Sequence, residues 1–247
     1  MIIDFHAQIW AAHPEEDKTA MRRAAKLYGI EKIYVSGLKS HISDEDEIAM
    51  LNDMVYQAMQ EDTLFGGAVY VNPLHKNVMD VIRRACEDRG FEIIKLWICT
   101  LADVPQMDPI MEYAAANGIP VLFHSFCKTI GQIPTESTGI HCANIARRHP
   151  ETKIVMAHLG GNCYHGIPAI RDLPNVFCDF SGSIFTGDAL NYAAEYLGTD
   201  RLVFGTDMPG SFLVNLGQVT GSDLTVADQQ KLLRHNALKL LDRNYRL

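Results

Sequence analysis

A short stretch near the start of the chain, IDFHAQIW, brings three polar side chains into an otherwise apolar run. Asp4, His6 and Gln8 occupy alternate positions, and alternate residues of a β-strand project from the same face. An Asp-x-His-x-His pattern in such a strand indicates a metal site, and here Gln8 stands where the second histidine would be. The stretch therefore predicts either a metal site with an altered ligand or the remains of one.

Polar side chains also mark the ends of several later apolar runs. Imidazole and carboxylate groups together are the ligands of Zn²⁺ and similar divalent ions. A lone histidine after an apolar run is more often a hydrogen-bonded core or loop residue, but independent structural residues need not all choose the same end of their strands. The joint placement therefore favours one shared site. Its candidate members are His6 in the first run, Lys95 late in the fourth, His124 after the fifth, His158 after the sixth, Asp179 at the end of the seventh and Asp207 after the eighth.

Eight short apolar runs alternate with longer amphipathic segments along the chain. Near-continuous apolar strands that alternate with helices indicate a parallel sheet covered by helices. Eight such units in about 250 residues match a (β/α)₈ TIM barrel, whose functional groups lie at the carboxyl ends of the strands. The sequence thus predicts a single α/β domain over residues 1–247 with a closed barrel sheet, and an open doubly wound sheet is the alternative. The runs are MIIDF, KIYVS, LFGGAVYV, FEIIKLWI, IPVLFHS, KIVMAH, NVFCDF and RLVFG.

The composition argues against several other classes of protein. The formal net charge is −8 and no run of Lys and Arg forms a basic stripe, which argues against a nucleic-acid partner. No apolar stretch approaches the roughly 18 residues of a membrane span, and the N-terminus lacks a signal-peptide pattern. Six scattered cysteines without Cys-x-x-Cys spacing are typical of a reduced, cytoplasmic protein. A small-molecule substrate is the expected partner, and assembly as a homodimer stays open.

The order of the motifs resembles the amidohydrolase superfamily, in particular the branch that contains aminocarboxymuconate-semialdehyde decarboxylase and related small-acid decarboxylases, hydratases and lactonases. The resemblance runs the whole length of the chain. IDFHAQ is similar to the Asp-x-His-x-His start, IPVLFHS to the fifth-strand histidine and MAHLGG to the sixth-strand His-Leu-Gly-Gly. DFSG resembles the end of the seventh strand, FGTDMP the Gly-Ser/Thr-Asp-x-Pro motif, and HNALKLL the closing Asn-Ala helix. Each motif is weak alone, but in this order they form a specific pattern.

The resemblance implies one divalent metal ion held by His6, His124 and Asp207, with Gln8 in place of the second histidine ligand. An amide oxygen is a weaker, neutral donor than imidazole, so this metal would be held less firmly. We expect the amide oxygen of Gln8 to face the ion and its nitrogen to face a neighbouring acceptor. Zinc is the expected ion, with manganese or iron as alternatives. His158 would handle the water or the substrate.

These groups predict a hydrolase that acts on a small, carboxylated or cyclic substrate such as a lactone or an amide. A bound divalent ion lowers the pKa of its water to about 7. Asp207 could then accept the proton, and His158 could stabilise the oxygen where negative charge develops. Short strand-to-helix loops favour hydrolysis, because they leave little material for a lid over a decarboxylation site. The alternatives are a non-oxidative decarboxylase, a metal-free lactonase and, from another class, an inactive barrel that binds a small acid.

Three residues are predicted to bind the substrate: Lys95, His165 and Asp179. An ammonium group near the mouth of the barrel would pair with a substrate carboxylate. Lys128 and Arg171 could extend this positive clamp, although both are better explained as ordinary solvated surface.

Overall fold

The computed structural model describes residues 1–182 and 186–245. Its centre is a sheet of eight parallel strands, in which each strand pairs with the next one along the chain. The strands consist mainly of Ile, Val, Leu and Phe and are buried, as parallel strands under a layer of helices must be. They are β1 (Ile2–Trp10), β2 (Ile30–Leu38), β3 (Phe65–Tyr70), β4 (Ile93–Leu96), β5 (Val121–Phe123), β6 (Ile154–Met156), β7 (Val176–Asp179) and β8 (Leu202–Val203).

The first and last strands meet and nearly close the sheet into a barrel. The amide of Phe5 donates to the carbonyl of Phe204 over 2.9 Å, and the amide of Thr206 donates to the carbonyl of His6 over 2.9 Å. Ala7 forms a further parallel bridge with Asp207. The predicted (β/α)₈ barrel is therefore confirmed, and the open doubly wound sheet is wrong.

Helices follow the strands and cover the outside of the sheet. Their apolar sides pack on the outward-facing strand residues and form the main hydrophobic core. None of the helices in the described part of the chain combines the length and the apolar character that a membrane crossing requires. The helices are α1 (Pro14–Tyr28), α2 (Glu45–Glu61), α3 (Val78–Arg83), α4 (Asp108–Asn117), α5 (Gly139–Arg148), α6 (Cys163–Ile170), α7 (Gly187–Leu197), α8 (Phe212–Thr220), α9 (Val226–Gln230) and α10 (Asn236–Leu241).

A second apolar cluster fills the inside of the barrel at the amino ends of the strands. Phe5, Leu122 and Phe177 project inward from their strands and pack together there, and Ala237 and Leu240 of α10 join the same cluster. The lower half of the barrel is therefore an apolar plug. Nearer the carboxyl ends of the strands, inward-pointing polar side chains lie on top of this plug. The plug shields them from solvent at the amino end of the barrel.

Between Asp4 and Ala7, strand β1 contains one extra residue relative to β2. Asp4 pairs with Ile33, whereas Ala7 pairs with Val35, so three steps along β1 match two steps along β2. Such a β-bulge changes the face to which the following side chains point. The bulge lies between the first and second halves of the polar stretch IDFHAQ.

This bulge corrects the expectation that three polar side chains of β1 share one face. Phe5 packs inside the barrel, and His6 and Gln8 also point inward, directly above it. Asp4 does not join them, because its carboxyl group accepts hydrogen bonds from the amide of Thr206 at 3.1 Å and from the hydroxyl of Thr206 at 2.6 Å. Burial raises the pKa of Asp4 to about 8. Asp4 therefore joins β1 to the end of β8, and His6 and Gln8 face the mouth.

Gly67 of β3 is a position where the packing of helices on the barrel can be tested. A methyl group there would lie 2.6 Å from the ring of Phe91 and 2.7 Å from the sulfur of Met59. Phe91 is completely buried and has no room to move aside. We expect Gly67→Ala to lower the free energy of unfolding by about 1–3 kcal/mol, measured by urea denaturation.

The matched control is Gly217→Ala in α8, where no described residue beyond the adjoining backbone of the same helix has an atom within 4 Å of the added methyl group. Alanine is the better helix former, so this variant should keep the wild-type stability or gain up to about 1 kcal/mol. Equal stabilities of the two variants would contradict the packing described for β3.

Candidate metal centre

Seven predicted polar residues meet at the carboxyl ends of the strands. This is the arrangement that the order of the sequence motifs predicts, because each βα unit returns the chain to the same end of the barrel. All of them are buried except Asp207, whose side chain is 23% exposed. They are His6 and Gln8 on β1, Lys95 on β4, His124 after β5, His158 after β6, Asp179 at the end of β7 and Asp207 after β8.

His6 is fixed by contacts at both ring nitrogens. Its Nδ1 donates to Asp179 Oδ2 over 2.9 Å. Its Nε2 lies 2.9 Å from Lys95 Nζ and 2.9 Å from Gln8 Nε2. Because ammonium and amide nitrogens only donate, His6 carries its proton on Nδ1 and presents a lone pair at Nε2. Burial alone would raise the pKa of Asp179, but the facing His6 ring and its hydrogen bond hold that pKa well below the ordinary value.

His158 lies in a tight turn, Ala157–Gly160, with a left-handed backbone at φ 60°. Its amide donates to Asp179 Oδ1 over 2.9 Å. Its Nδ1 lies 3.2 Å from the carbonyl oxygen of Ser181 and 3.0 Å from the hydroxyl of the same residue. A carbonyl oxygen only accepts, so Nδ1 carries the proton and Nε2 offers a lone pair. A Cβ atom at Gly182 would lie 2.7 Å from Nδ1, so the ring position requires glycine there.

Asp207 reaches the cluster from a second left-handed residue, with φ 63°. Its amide donates to the carbonyl of His6 over 2.7 Å, and its Oδ1 lies 3.5 Å from His6 Nε2. Burial alone would raise the pKa of Asp207, but the nearby His158, His6 and Lys95 lower it below the ordinary value. Asp207 is therefore an ionised carboxylate at neutral pH.

His6, His158 and Asp207 form a group that can hold a divalent metal ion. Each offers one ligand atom, and these atoms all lie within 4.8 Å of one another. Two imidazole lone pairs and a carboxylate suit zinc, manganese or iron, so the donor set fits such an ion. The predicted ligand set contained His124 instead of His158. His124 lies beside the group, with Nδ1 3.1 Å from His158 Nε2, and its role as a ligand stays a prediction.

Gln8 lies in the mouth beside His6, but its amide has the opposite orientation to the expected one. The amide oxygen accepts a hydrogen bond from the hydroxyl of Ser36. The amide nitrogen lies 3.2 Å from Asp207 Oδ1 and also contacts His6 Nε2. A carboxylate oxygen and an imidazole lone pair both attract a donor, which explains why the amide nitrogen faces the site. Exchange of the oxygen and nitrogen would let Ser36 accept instead of donate, but it would place the amide oxygen against these two acceptors.

Lys95 is a completely buried cation beside the donor group. Burial lowers its pKa to about 8, and the charges of Asp207 and Asp179 act in the opposite direction. Lys95 therefore remains largely an ammonium ion at neutral pH. The centre contains a fixed positive charge of its own, in contact with His6.

A small cleft opens over these residues. Its volume is about 190 Å³, which is below the usual range for drug-sized ligands and indicates a small molecule. The ring of Phe126 lies nearly parallel to that of His124, with an angle of 14° between their planes. The lining residues are His124, Phe126, His158, Gly182, Asp207, Met208 and Ser211.

None of the five residues considered for substrate binding lines this cleft, and Lys95 is buried behind it. His165 is exposed on α6. Arg171 stacks on the ring of Tyr196 at 5.3 Å, and Lys128 forms an ion pair with a buried glutamate. Asp179 has no exposed surface and orients His6 from behind. Of the predicted positive clamp, Lys95 alone lies at the centre.

A larger groove, of about 690 Å³, lies between α1 and the start of α8. Its walls are mostly apolar and include Ala20, Leu27, Phe212 and Leu213. None of the ligand-bearing residues of the centre lines it. The chemistry therefore belongs to the smaller cleft.

Two residues of the centre were not found from the sequence. Ser181 donates its hydroxyl to Asp179 Oδ1 over 2.6 Å, and its position two residues after that aspartate, in DFSG, could have indicated the contact. Glu136 is 3% exposed and lies 2.9 Å from His124 Nε2. It belongs to an irregular loop, where no periodicity could have indicated it.

Comparison with known proteins identifies the family. The family model described as amidohydrolase matches residues 3–243. The chain belongs to the amidohydrolase family. This confirms the resemblance that the motif order indicated. Among curated proteins, none matches the sequence with significance.

Several solved structures share the amidohydrolase barrel of this chain. A 2,6-dihydroxybenzoate decarboxylase in complex with 2,6-dihydroxybenzoate is 16% identical, with a TM-score of 0.76 and 98% of both chains covered. A dihydroxybenzoic acid decarboxylase from Polaromonas sp., with manganese and the inhibitor 2-nitroresorcinol, is 17% identical, with a TM-score of 0.74 and 98% and 97% covered. A 5-carboxyvanillate decarboxylase from Novosphingobium aromaticivorans, with manganese and 4-hydroxy-3-methoxy-5-nitrobenzoic acid, is 17% identical, with a TM-score of 0.76 and 98% and 96% covered. At these identities the likeness shows the shared fold.

Replacement of Gln8 by histidine tests the metal centre directly. An imidazole at this position would add a stronger ligand next to His6, so we expect Gln8→His to bind Mn²⁺ and Zn²⁺ about tenfold more tightly or better. Isothermal titration of chelator-treated protein measures this change. The control is Gln57→His, which places a histidine on the exposed side of α2 and should leave the affinity of the centre unchanged. Unchanged binding by the Gln8 variant would show that no ion lies beside β1.

Proposed function

We propose that this amidohydrolase is a metal-dependent, non-oxidative decarboxylase of a small aromatic carboxylic acid. The observation that carries the proposal is a donor set for a divalent ion beside the buried ammonium of Lys95, at a single small cleft. A metal bound there would hold the acid and balance its negative charge. Aromatic-acid decarboxylases with manganese among the solved relatives support decarboxylation over the hydrolysis that the sequence favoured.

The reaction makes specific demands on the chain. The bond between the ring carbon and the carboxyl carbon breaks, its electron pair stays on the ring carbon, CO₂ leaves, and a proton must reach that carbon. Negative charge therefore moves from the carboxylate into the ring, where a fixed cation in a water-poor site can stabilise it. Lys95 supplies such a cation. Asp207 is the carboxylate that lines the cleft, so it is placed to pass a proton from water to the ring carbon.

The cleft suits a single flat ring. Phe126 and Met208 provide apolar walls, and the nearly parallel rings of Phe126 and His124 leave a flat surface. Apolar walls keep water away from the reacting carbon and strengthen the interaction of the ring charge with Lys95. A ring that carries one carboxylate would direct that group toward the donor residues and leave its apolar edge at the walls.

Manganese is the ion that we assign to the centre first. Gln8 replaces the second histidine that would favour zinc, and the carboxylate of Asp207 is a ligand that suits manganese. Two of the solved relatives contain manganese, which supports the same choice. Zinc and iron are the alternatives to be compared in the same assays.

Hydrolysis of a small lactone or amide is the second candidate, and one observation favours it. The lowered pKa of Asp207 keeps this residue ionised, so its carboxylate is free to accept a proton from water. In a decarboxylase the same residue must first gain the proton that it delivers. Hydrolysis by an ionised Asp207 would need no such step.

A substrate panel separates these reactions. We expect manganese-loaded protein to release CO₂ from 2,6-dihydroxybenzoate, 5-carboxyvanillate or a related hydroxybenzoate, measured by a coupled CO₂ assay together with chromatography of the product. Treatment with a chelator should abolish the reaction, and Mn²⁺ should restore it. Asp207→Asn should lower kcat by a factor of about 10²–10⁴. Turnover of lactones or amides without CO₂ release would identify a hydrolase, and tight binding of acids without turnover would identify an inactive barrel.

Lys95→Met tests the role of the buried cation, because methionine keeps much of the length and removes the charge. We expect kcat/KM for the acid to fall about 10²-fold or more. The affinity for Mn²⁺ should not fall, because the variant loses a like charge next to the ion. Lys76→Met, an exposed lysine in the loop after β3, is the control and should behave as wild type. Unchanged kcat/KM in the Lys95 variant would show that the ammonium does not act on the substrate.

A further inference from the structure

Glu136 is a buried carboxylate in the loop that leads from β5 to α5. It is only 3% exposed. Its Oε1 lies 2.9 Å from His124 Nε2, and its Oε2 lies 2.7 Å from Lys128 Nζ and 3.0 Å from Gln132 Nε2. Every one of these partners can donate a hydrogen bond, so the buried charge is well compensated. Such a side chain has one orientation, set by the partners around it.

The loop around Glu136 is held at several points. The amide of Phe126 donates to the carbonyl of Ser137 over 2.8 Å, and the amide of Ala102 donates to the hydroxyl of Ser137 over 2.8 Å. At the start of α5, Thr138 and His141 form a reciprocal capping box. The carboxylate of Glu136 is therefore presented to His124 from a fixed backbone.

This contact decides which nitrogen of His124 faces the centre. A carboxylate only accepts, so His124 Nε2 carries the proton, and in the neutral ring Nδ1 then bears the lone pair. Nδ1 lies 3.1 Å from His158 Nε2. That atom also bears a lone pair, because the other ring nitrogen of His158 donates to Ser181. Two lone pairs that meet at this distance repel each other unless a cation lies against both.

A second buried carboxylate fixes the tautomer of a histidine on the opposite side of the centre. Asp179 holds Nδ1 of His6, and Nε2 of His6 then faces Asp207. Metal-binding histidines commonly donate their other N–H to a carboxylate, which fixes the tautomer and strengthens the ligand. Glu136 plays the same part for His124, but there the carboxylate binds Nε2 and the lone pair is on Nδ1.

We propose that Glu136 is a positioning residue that makes Nδ1 of His124 a fourth donor atom of the metal centre, next to His6, His158 and Asp207. The inference rests on the proposed function in so far as it needs a metal ion in the cleft. It gives Glu136, a residue of an irregular loop, a part in metal binding. It also identifies Nδ1 as the ligand atom of His124. It also explains why a carboxylate is buried at this point of the loop.

Metal binding and the tautomer of His124 test this role without any substrate. The variants are Glu136→Gln, which keeps the shape and removes the charge, and Lys128→Met, which removes another partner of Glu136 and leaves its contact with His124. Mn²⁺ affinity is measured by titration calorimetry on chelator-treated protein. The tautomer is measured by two-bond ¹H–¹⁵N correlation spectra of ¹⁵N-histidine-labelled protein, with His124 assigned from His124→Asn. Thermal unfolding confirms that each variant is folded.

We expect Glu136→Gln to bind Mn²⁺ about 10–100-fold more weakly than wild type, and Lys128→Met to stay within about threefold, because the hydrogen bond between Glu136 and His124 is kept. His124 should appear as the Nε2–H tautomer in wild type and lose this preference in Glu136→Gln. The proposal is overturned if both variants weaken binding equally, since Glu136 would then act only by holding the loop. It is also overturned if Glu136→Gln binds Mn²⁺ as wild type does, or if His124 is doubly protonated or an Nδ1–H tautomer. A wild-type protein that binds Mn²⁺ but releases no CO₂ contradicts the proposed function alone.

Discussion

The centre depends on one fully buried carboxylate, Asp179. A buried charge is stable only when donors surround it. Its oxygens receive the ring N–H of His6, the amide of His158, and both the amide and the hydroxyl of Ser181. These donors come from the middle of β1 and from the ends of β6 and β7, so one charge fixes the relative position of three strands at the mouth. The lone pair of His6 faces the cleft because its other nitrogen belongs to Asp179.

Backbone strain is concentrated at the same place. In the described part of the chain, the residues other than glycine with a left-handed backbone are His158, Leu159 and Asp207. Such conformations cost about 1–3 kcal/mol each and persist only where the surroundings enforce them. The amide of Asp207 bonds to the carbonyl of His6, and the amide of His158 bonds to Asp179. The hydrogen bonds that build the centre thus hold its strained residues, which favours a working site over an inactive barrel.

Much of the fold could be predicted from the sequence, because it follows from periodicity. Apolar runs that alternate with amphipathic segments leave few architectures open, and a barrel brings His6, Lys95 and Asp207 to one end whatever the details of packing. Family motifs added the expectation of a metal. These inferences need only the order of elements and the direction of the strands.

The contacts within the centre could not be predicted in the same way. The bulge in β1 separates Asp4 from His6, and an extra residue in a strand leaves no mark in the alternation of IDFHAQ. The orientation of the Gln8 amide depends on Ser36, a neighbour on the adjacent strand. Glu136 reaches His124 across an irregular loop. Each of these contacts joins residues that only the folded chain brings together, so no local pattern encodes them.

The charges of the centre connect the metal with the kind of substrate. Asp179 and Asp207 are negative and Lys95 is positive, while Glu136 and Lys128 compensate each other. Without an ion the centre therefore has one net negative charge, which repels a carboxylate in a medium of low dielectric constant. A divalent ion would change this to one net positive charge, and a monocarboxylate would then make the site neutral. A metal-free reaction at these residues would suit a neutral substrate such as a lactone, whereas an acid substrate would need the ion to balance its charge. The identity of the substrate and the presence of the metal are thus a single question.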